Sequence, residues 1–118
     1  MSLRLVAVAI AAAVLAVPLV AGPAAAALRH KHYDAVDVTT TSTQVLAAKN
    51  DRRVLILQND SDTIVYCAAD GTAAVVGKGI RLNAAGGNWH ADVAAPTDVV
   101  NCIHNGVGNK KVMPTEDQ

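Results

Sequence analysis

Phenylalanine is absent from the chain, and Tyr33, Tyr66 and Trp89 are its whole aromatic complement. Any core must therefore be assembled from Val, Ile, Leu and Ala, which bury less area per side chain than aromatic rings do. Charge is also sparse, with ten basic and ten acidic residues giving a formal net charge of zero. Arg52-Arg53 and Lys110-Lys111 are isolated pairs in long neutral stretches. No basic stripe tracks a phosphate backbone, so nucleic acid is not an expected partner. Beyond the N-terminal segment no run of ten residues repeats apolar positions at helical spacing, which removes the crossovers that a parallel sheet requires. Internal repeats are missing too.

The one long apolar run lies at the N-terminus. Arg4 precedes an almost unbroken apolar stretch over residues 5–20, and Gly22-Pro23 leads into four alanines ending at Ala27. A basic start, an apolar middle and small residues at the exit are the order of a secretory signal peptide, expected over residues 1–27. If retained instead, the same run is close to the ~17-residue lower limit for a membrane anchor, and only then is a membrane an expected partner. Cleavage leaves about 90 residues, enough for one exported domain and too few for two. Its only cysteines are Cys67 and Cys102, and in an oxidising compartment they are expected to pair. A loop of that length stabilises the fold by about 4 kcal/mol on the chain-entropy model.

After the leader the texture is that of short strands. Residues 28–35 read as an exposed, His-rich arm. Val36 and Val38 alternate with polar residues, and the β-branched run from Thr39 to Thr43 reads as strand and as an edge, because no charge interrupts it. Four consecutive aliphatics, Val54 to Leu57, suggest a strand buried on both faces. Asn59-Asp60-Ser61-Asp62 is turn chemistry, so the strands around it read as a hairpin. Asn105-Gly106 predicts a second hairpin between a strand over residues 98–104 and one over residues 110–113. The last residues, 115–118, read as a frayed tail behind a domain spanning 36–114. The expected fold is all-β: a small antiparallel β-sandwich or barrel of about seven to eight short strands.

No arrangement of residues signals catalysis, and the protein is not expected to be an enzyme. Ser42 and Ser61 are the only serines outside the leader, and neither sits in a strand-to-helix elbow beside a base. Asp60, Asp62 and Asp70 cluster in turns, where they bond local backbone, and they lack the twelve-residue spacing of a calcium loop. Asn59-Asp60-Ser61 matches a glycosylation sequon, which we read as accidental. His30, Lys31, His32 and Asp34 are the densest group of metal donors. Were cleavage to follow Ala27, a free amine, two amides and the His30 imidazole would suit square-planar Cu(II) or Ni(II). No other cofactor is indicated. Trp89, the only tryptophan, is either the plug of a Phe-free core or an exposed anchor for a ligand or neighbouring subunit, with His90 beside it.

The segment from Thr43 to about Glu116 resembles a module of small virion structural proteins of tailed bacteriophages. The resemblance rests on the order of Thr43-Gln44-Val45-Leu46-Ala47-Ala48, Arg53-Val54-Leu55-Ile56-Leu57-Gln58-Asn59, Thr63-Ile64-Val65-Tyr66 and Gly79-Ile80-Arg81-Leu82. Asn83-Ala84-Ala85-Gly86-Gly87, Trp89 and a closing Glu116 complete it. It implies a compact sandwich seated on a capsid, tail or fibre, making protein contacts without chemistry. The leader and the cysteine pair depart from that family, so the chain is either an exported relative or an unrelated secreted sandwich. The expected role is structural, through self-association or docking on a larger assembly, with Thr41, Trp89 and His90 as possible contact residues. The alternative is a secreted domain that binds a small ligand, a carbohydrate or a metal through the loop over residues 83–90 and the loop after His104.

Overall fold

The computed structural model describes residues 29–118; the expected leader, residues 1–27, lies outside the described residues. Among the described residues nine strands occur in chain order: β1 (His30–His32), β2 (Val36–Val38), β3 (Thr43–Leu46), β4 (Leu55–Asn59), β5 (Val65–Ala68), β6 (Ile80–Leu82), β7 (Gly87–Ala91), β8 (Val100–Ile103) and β9 (Lys110–Asp117). They form two antiparallel sheets and no helix among the described residues. Sheet A runs β1-β9-β4-β7 with β2 also on β9, and sheet B runs β3-β8-β5-β6. The expected all-β architecture is the observed one.

Period-2 burial explains how the sheets meet. On β4, Leu55, Leu57 and Asn59 turn inward while Gln58 is exposed, and on β5 Val65 and Cys67 do the same. Leu55, Leu57, Val65, Leu82, Val100 and Val112 are all inaccessible to solvent and lie in one cluster spanning both sheets. The core is aliphatic, as the missing phenylalanines require. Trp89 is half-buried and packs against that cluster from β7.

Only β5 and β6 are both consecutive in the chain and paired. The hairpin expected across residues 59–62 does not exist, because β4 belongs to sheet A and β5 to sheet B. Instead Asn59, fully buried, holds the crossing: its Nδ2 donates to the carbonyls of Thr63 (2.7 Å) and Leu82 (3.1 Å), and its Oδ1 accepts from the Ser61 amide (3.0 Å). Asn105-Gly106 likewise joins β8 in one sheet to β9 in the other, and neither residue adopts positive φ. The sheet change replaces the type I′ turn.

The termini differ most from expectation. Residues 30–32 are exposed yet paired with β9, and the tail is the end of the longest strand, with Thr115, Glu116 and Asp117 all buried. Pro114 explains why the N-terminal segment forms two strands. Tyr33 donates its amide to the Pro114 carbonyl (3.2 Å), but proline has no N–H to return. The ladder stops there. It resumes with one extra residue on the N-terminal side, since His32 faces Thr115 and Val36 faces Val112.

Candidate functional site

Cys67 and Cys102 are direct partners on β5 and β8 and form a disulfide, with Cα atoms 4.1 Å apart. The bond closes a sequence separation of 35 residues and is buried at the centre of sheet B. It suggests an oxidising environment, and no described helix is long and apolar enough to cross a membrane.

Beside the disulfide, the segment between β5 and β6 wraps a groove of about 540 Å³ lined by Ala68, Ala69, Val75, Lys78, Ile80 and Pro96 among others. Val75 and Val76 on this segment are exposed. Gly79 makes the wrap possible: it sits at φ +80°, and a Cβ there would lie 2.5 Å from the Cys67 carbonyl oxygen. The groove lies away from the loops over residues 83–90 and after His104 from which a binding site was expected. The first of those loops is a tight turn at residues 84–86 that enters β7 at once.

The run Thr39 to Thr43 is a corner between sheets. Thr39 Oγ1 and the Thr41 carbonyl are 3.1 Å apart, the Thr41 amide donates to Thr39 Oγ1 (3.1 Å), and Thr43 Oγ1 donates to the Thr41 carbonyl (2.9 Å). Hydroxyls that bond local backbone compete with a strand ladder. Thr41 is therefore in a turn, and only Thr43 belongs to an edge strand, β3, which carries a register shift between Gln44 and Leu46.

The outer face of sheet A holds three of the five metal or contact residues expected from the sequence: His30, His32 and His90, but not Trp89 or Thr41. Register places His32, Thr115, Ile56 and His90 in one row across β1, β9, β4 and β7. His90 is exposed at the far end of that row and Trp89 points to the opposite face with Leu57. His30 is two residues from His32 on the same face, opposite Asp117. A square-planar chelate of residues 28–30 would need consecutive amides on one side, whereas an extended strand turns them alternately. The Arg29 carbonyl already accepts from the Gln118 amide at 2.7 Å, so that chelate would unpair β1.

His104 is neither exposed nor basic machinery. It is fully buried, its Nδ1 accepts from the Gly106 amide (3.0 Å), and its Nε2 lies 3.0 Å from the Val38 carbonyl. Acceptance at Nδ1 puts the proton on Nε2, which donates to Val38. The ring is a buried strut between β2 and the loop after β8.

Sequence reading missed the buried charges. Arg52, 3% exposed, donates Nε to Glu116 Oε2 at 2.7 Å, Nη1 to the carbonyls of Pro96 (2.7 Å) and Asp98 (3.0 Å), and Nη2 to that of Ala47 (2.6 Å). Tyr33 donates its phenol to the other Glu116 oxygen at 2.5 Å. That bond, then burial and the adjacent carboxylate, raises the phenol above its ordinary range. Burial pushes the Asp117 carboxyl upward, but amide donation from Val54 and Arg53 outweighs it and holds the group at about 2. The signal available in the sequence was an Arg pair before a strand and an acidic pair at the end of another.

No protein-family model, curated protein or solved structure matches the chain.

Proposed function

We propose that the protein is an exported, non-enzymatic sandwich that works by protein contacts, pairing with a second copy of itself through β7. One observation carries this reading. Among the strands at the ends of the two sheets, β1 carries Lys31, β2 carries Asp37 and β6 carries Arg81, whereas β7 has no carboxylate, lysine or arginine and no register irregularity over its five residues. Charges and bulges are what natural sheets use to blunt an edge. β3 is charge-free but bulged. An unblunted β7 offers its outward backbone groups to the same strand of another copy, antiparallel about a two-fold axis. The resemblance to phage virion modules agrees with an assembly role, and the leader with export.

Light scattering across concentration tests the proposal. The wild-type domain is expected to dimerise, and Asn88→Lys, at an exposed position on β7, to remain monomeric with unchanged melting. Thr41→Lys, in the corner, is expected to leave association intact. A strict monomer at high concentration overturns the reading. The groove beside the disulfide then carries the second one, a small apolar ligand, checked by thermal shift with ligands sized to 540 Å³. Intact mass of the exported protein tests the leader, with a mature N-terminus at Leu28 expected.

A further inference from the structure

We propose that His30 and His32 form a two-imidazole site for Cu(II) on the exposed face of β1, independent of a free N-terminus and of β7 pairing. The first support is placement. Residues two apart on a strand face the same side at roughly 6.6 Å along the chain, so two imidazoles from this spacing converge on one ion. Both residues are exposed, and Lys31 between them faces the other way, its ammonium 4.7 Å from the Tyr33 ring centroid. The only cation of the strand is thus drawn off the metal side.

The second support is the ring of His32. Its Nδ1 lies 3.0 Å from the hydroxyl of Thr115, its cross-strand partner. With the proton on Nδ1 donated to that oxygen, Nε2 is left bare to bind a metal. A hydrogen bond on the far nitrogen is the device that orients and fixes the tautomer of metal-binding histidines. His30 faces Asp117 in the same register. That carboxylate is already held by the Arg53 and Val54 amides at 2.6 and 2.8 Å, with Lys49 and Arg53 at 3.8 and 3.6 Å. Held by two amides and flanked by two cations, it supplies no third ligand. Among the described residues no group of three or more His, Cys, Asp or Glu is placed to hold a metal. Water or an outside donor therefore completes the sphere, and Cu(II), the strongest binder of imidazole among divalent first-row metals, is the ion a two-donor site can retain.

The test uses the full 118-residue chain, whose terminal amine is Met1, so no amine chelate with His30 can form. On titration with Cu(II) alone, amide NMR signals of residues 30–32 and Thr115 are expected to broaden first, with one ion per chain. His30→Ala and His32→Ala are each expected to weaken binding at least tenfold, and Thr115→Val several-fold, with the amide spectrum otherwise native. His90→Ala is expected to change nothing. Broadening centred on His90, or an affinity indifferent to both single alanine variants, overturns the proposal.

Discussion

Sheet B and the C-terminal end of sheet A are held by opposite means. In sheet B a covalent bond joins β5 to β8, strands that are already hydrogen-bonded neighbours. At the far end of β9, a single guanidinium binds Glu116 of sheet A and the carbonyls of Ala47, Pro96 and Asp98, which flank β3 and β8 of sheet B. The disulfide therefore fastens one layer to itself, and Arg52 fastens one layer to the other. In a domain whose core lacks large rings, the strongest bond does not sit where the layers meet. The weaker, many-handed one does.

The contrast is open to attack from both sides. Arg52→Ala removes the inter-layer clamp and strands the Glu116 carboxylate, an expected loss of about 3–5 kcal/mol in denaturant unfolding, as for other broken buried pairs. Arg52→Lys, which keeps the charge and loses the fork, should recover only a fraction. Removing the disulfide with Cys67→Ala and Cys102→Ala is expected to cost about 2–5 kcal/mol. If hydrogen exchange then rises in β5, β6 and β8 but not in β4 and β9, the division of labour is sharpened; uniform loosening would erase it.

Acid probes the clamp region next. Asp117 is held at about 2, below its ordinary 3.8. Its contribution is complete above the unfolded value and disappears as pH falls from about 4 to about 2, a loss on the order of 2 kcal/mol. The exposed Asp62 and Asp70, lowered by bonds from Lys110 and Thr72 respectively, act in the same direction. Asp117→Asn should flatten most of this acid limb in a pH series of melting curves. Smallest of all is Tyr33→Phe, which takes one donor from Glu116 and leaves Arg52, for an expected loss of about 1 kcal/mol.

The layers were legible in the sequence and their wiring was not. Alternation along Val36-Asp37-Val38 and Ile80-Arg81-Leu82, and the aliphatic run at β4, are local facts, so strand existence and the aliphatic core followed directly. Pairing is a non-local fact. Asn59-Asp60-Ser61-Asp62 and Asn105-Gly106 have the chemistry of reversals, and reversal is what they perform, but from one sheet to the other. Nothing near them in sequence says which. The threonine run misled for a related reason, since β-branched residues favour strands until their hydroxyls find backbone partners two residues away. At the C-terminus the polar letters of Thr115, Glu116 and Asp117 suggested solvent, and their burial is tolerable only through partners distant in sequence: His32 for Thr115, Arg52 and Tyr33 for Glu116, and the amides of Arg53 and Val54 for Asp117. Among the expected site residues, the metal candidates His30 and His32 share the outer face of sheet A with His90, whereas Trp89 belongs to the core side and Thr41 to a corner.

The position of β9 in the chain also sets a schedule. It is the strand that β1, β2 and β4 all pair with, and it follows every one of them. A chain threading through a membrane from its N-terminus would deliver β1 and β2 with no partner and β4 with only β7, and sheet A could not be completed until β9 arrived. Folding of the domain is slow to start because the contacts that reward closure span most of its length. Loss of residues 115–117 alone would unpair β1 and strip part of β4, and removal of the whole of β9 would unpair β2 as well, so shortening grows costlier with each residue taken from this end.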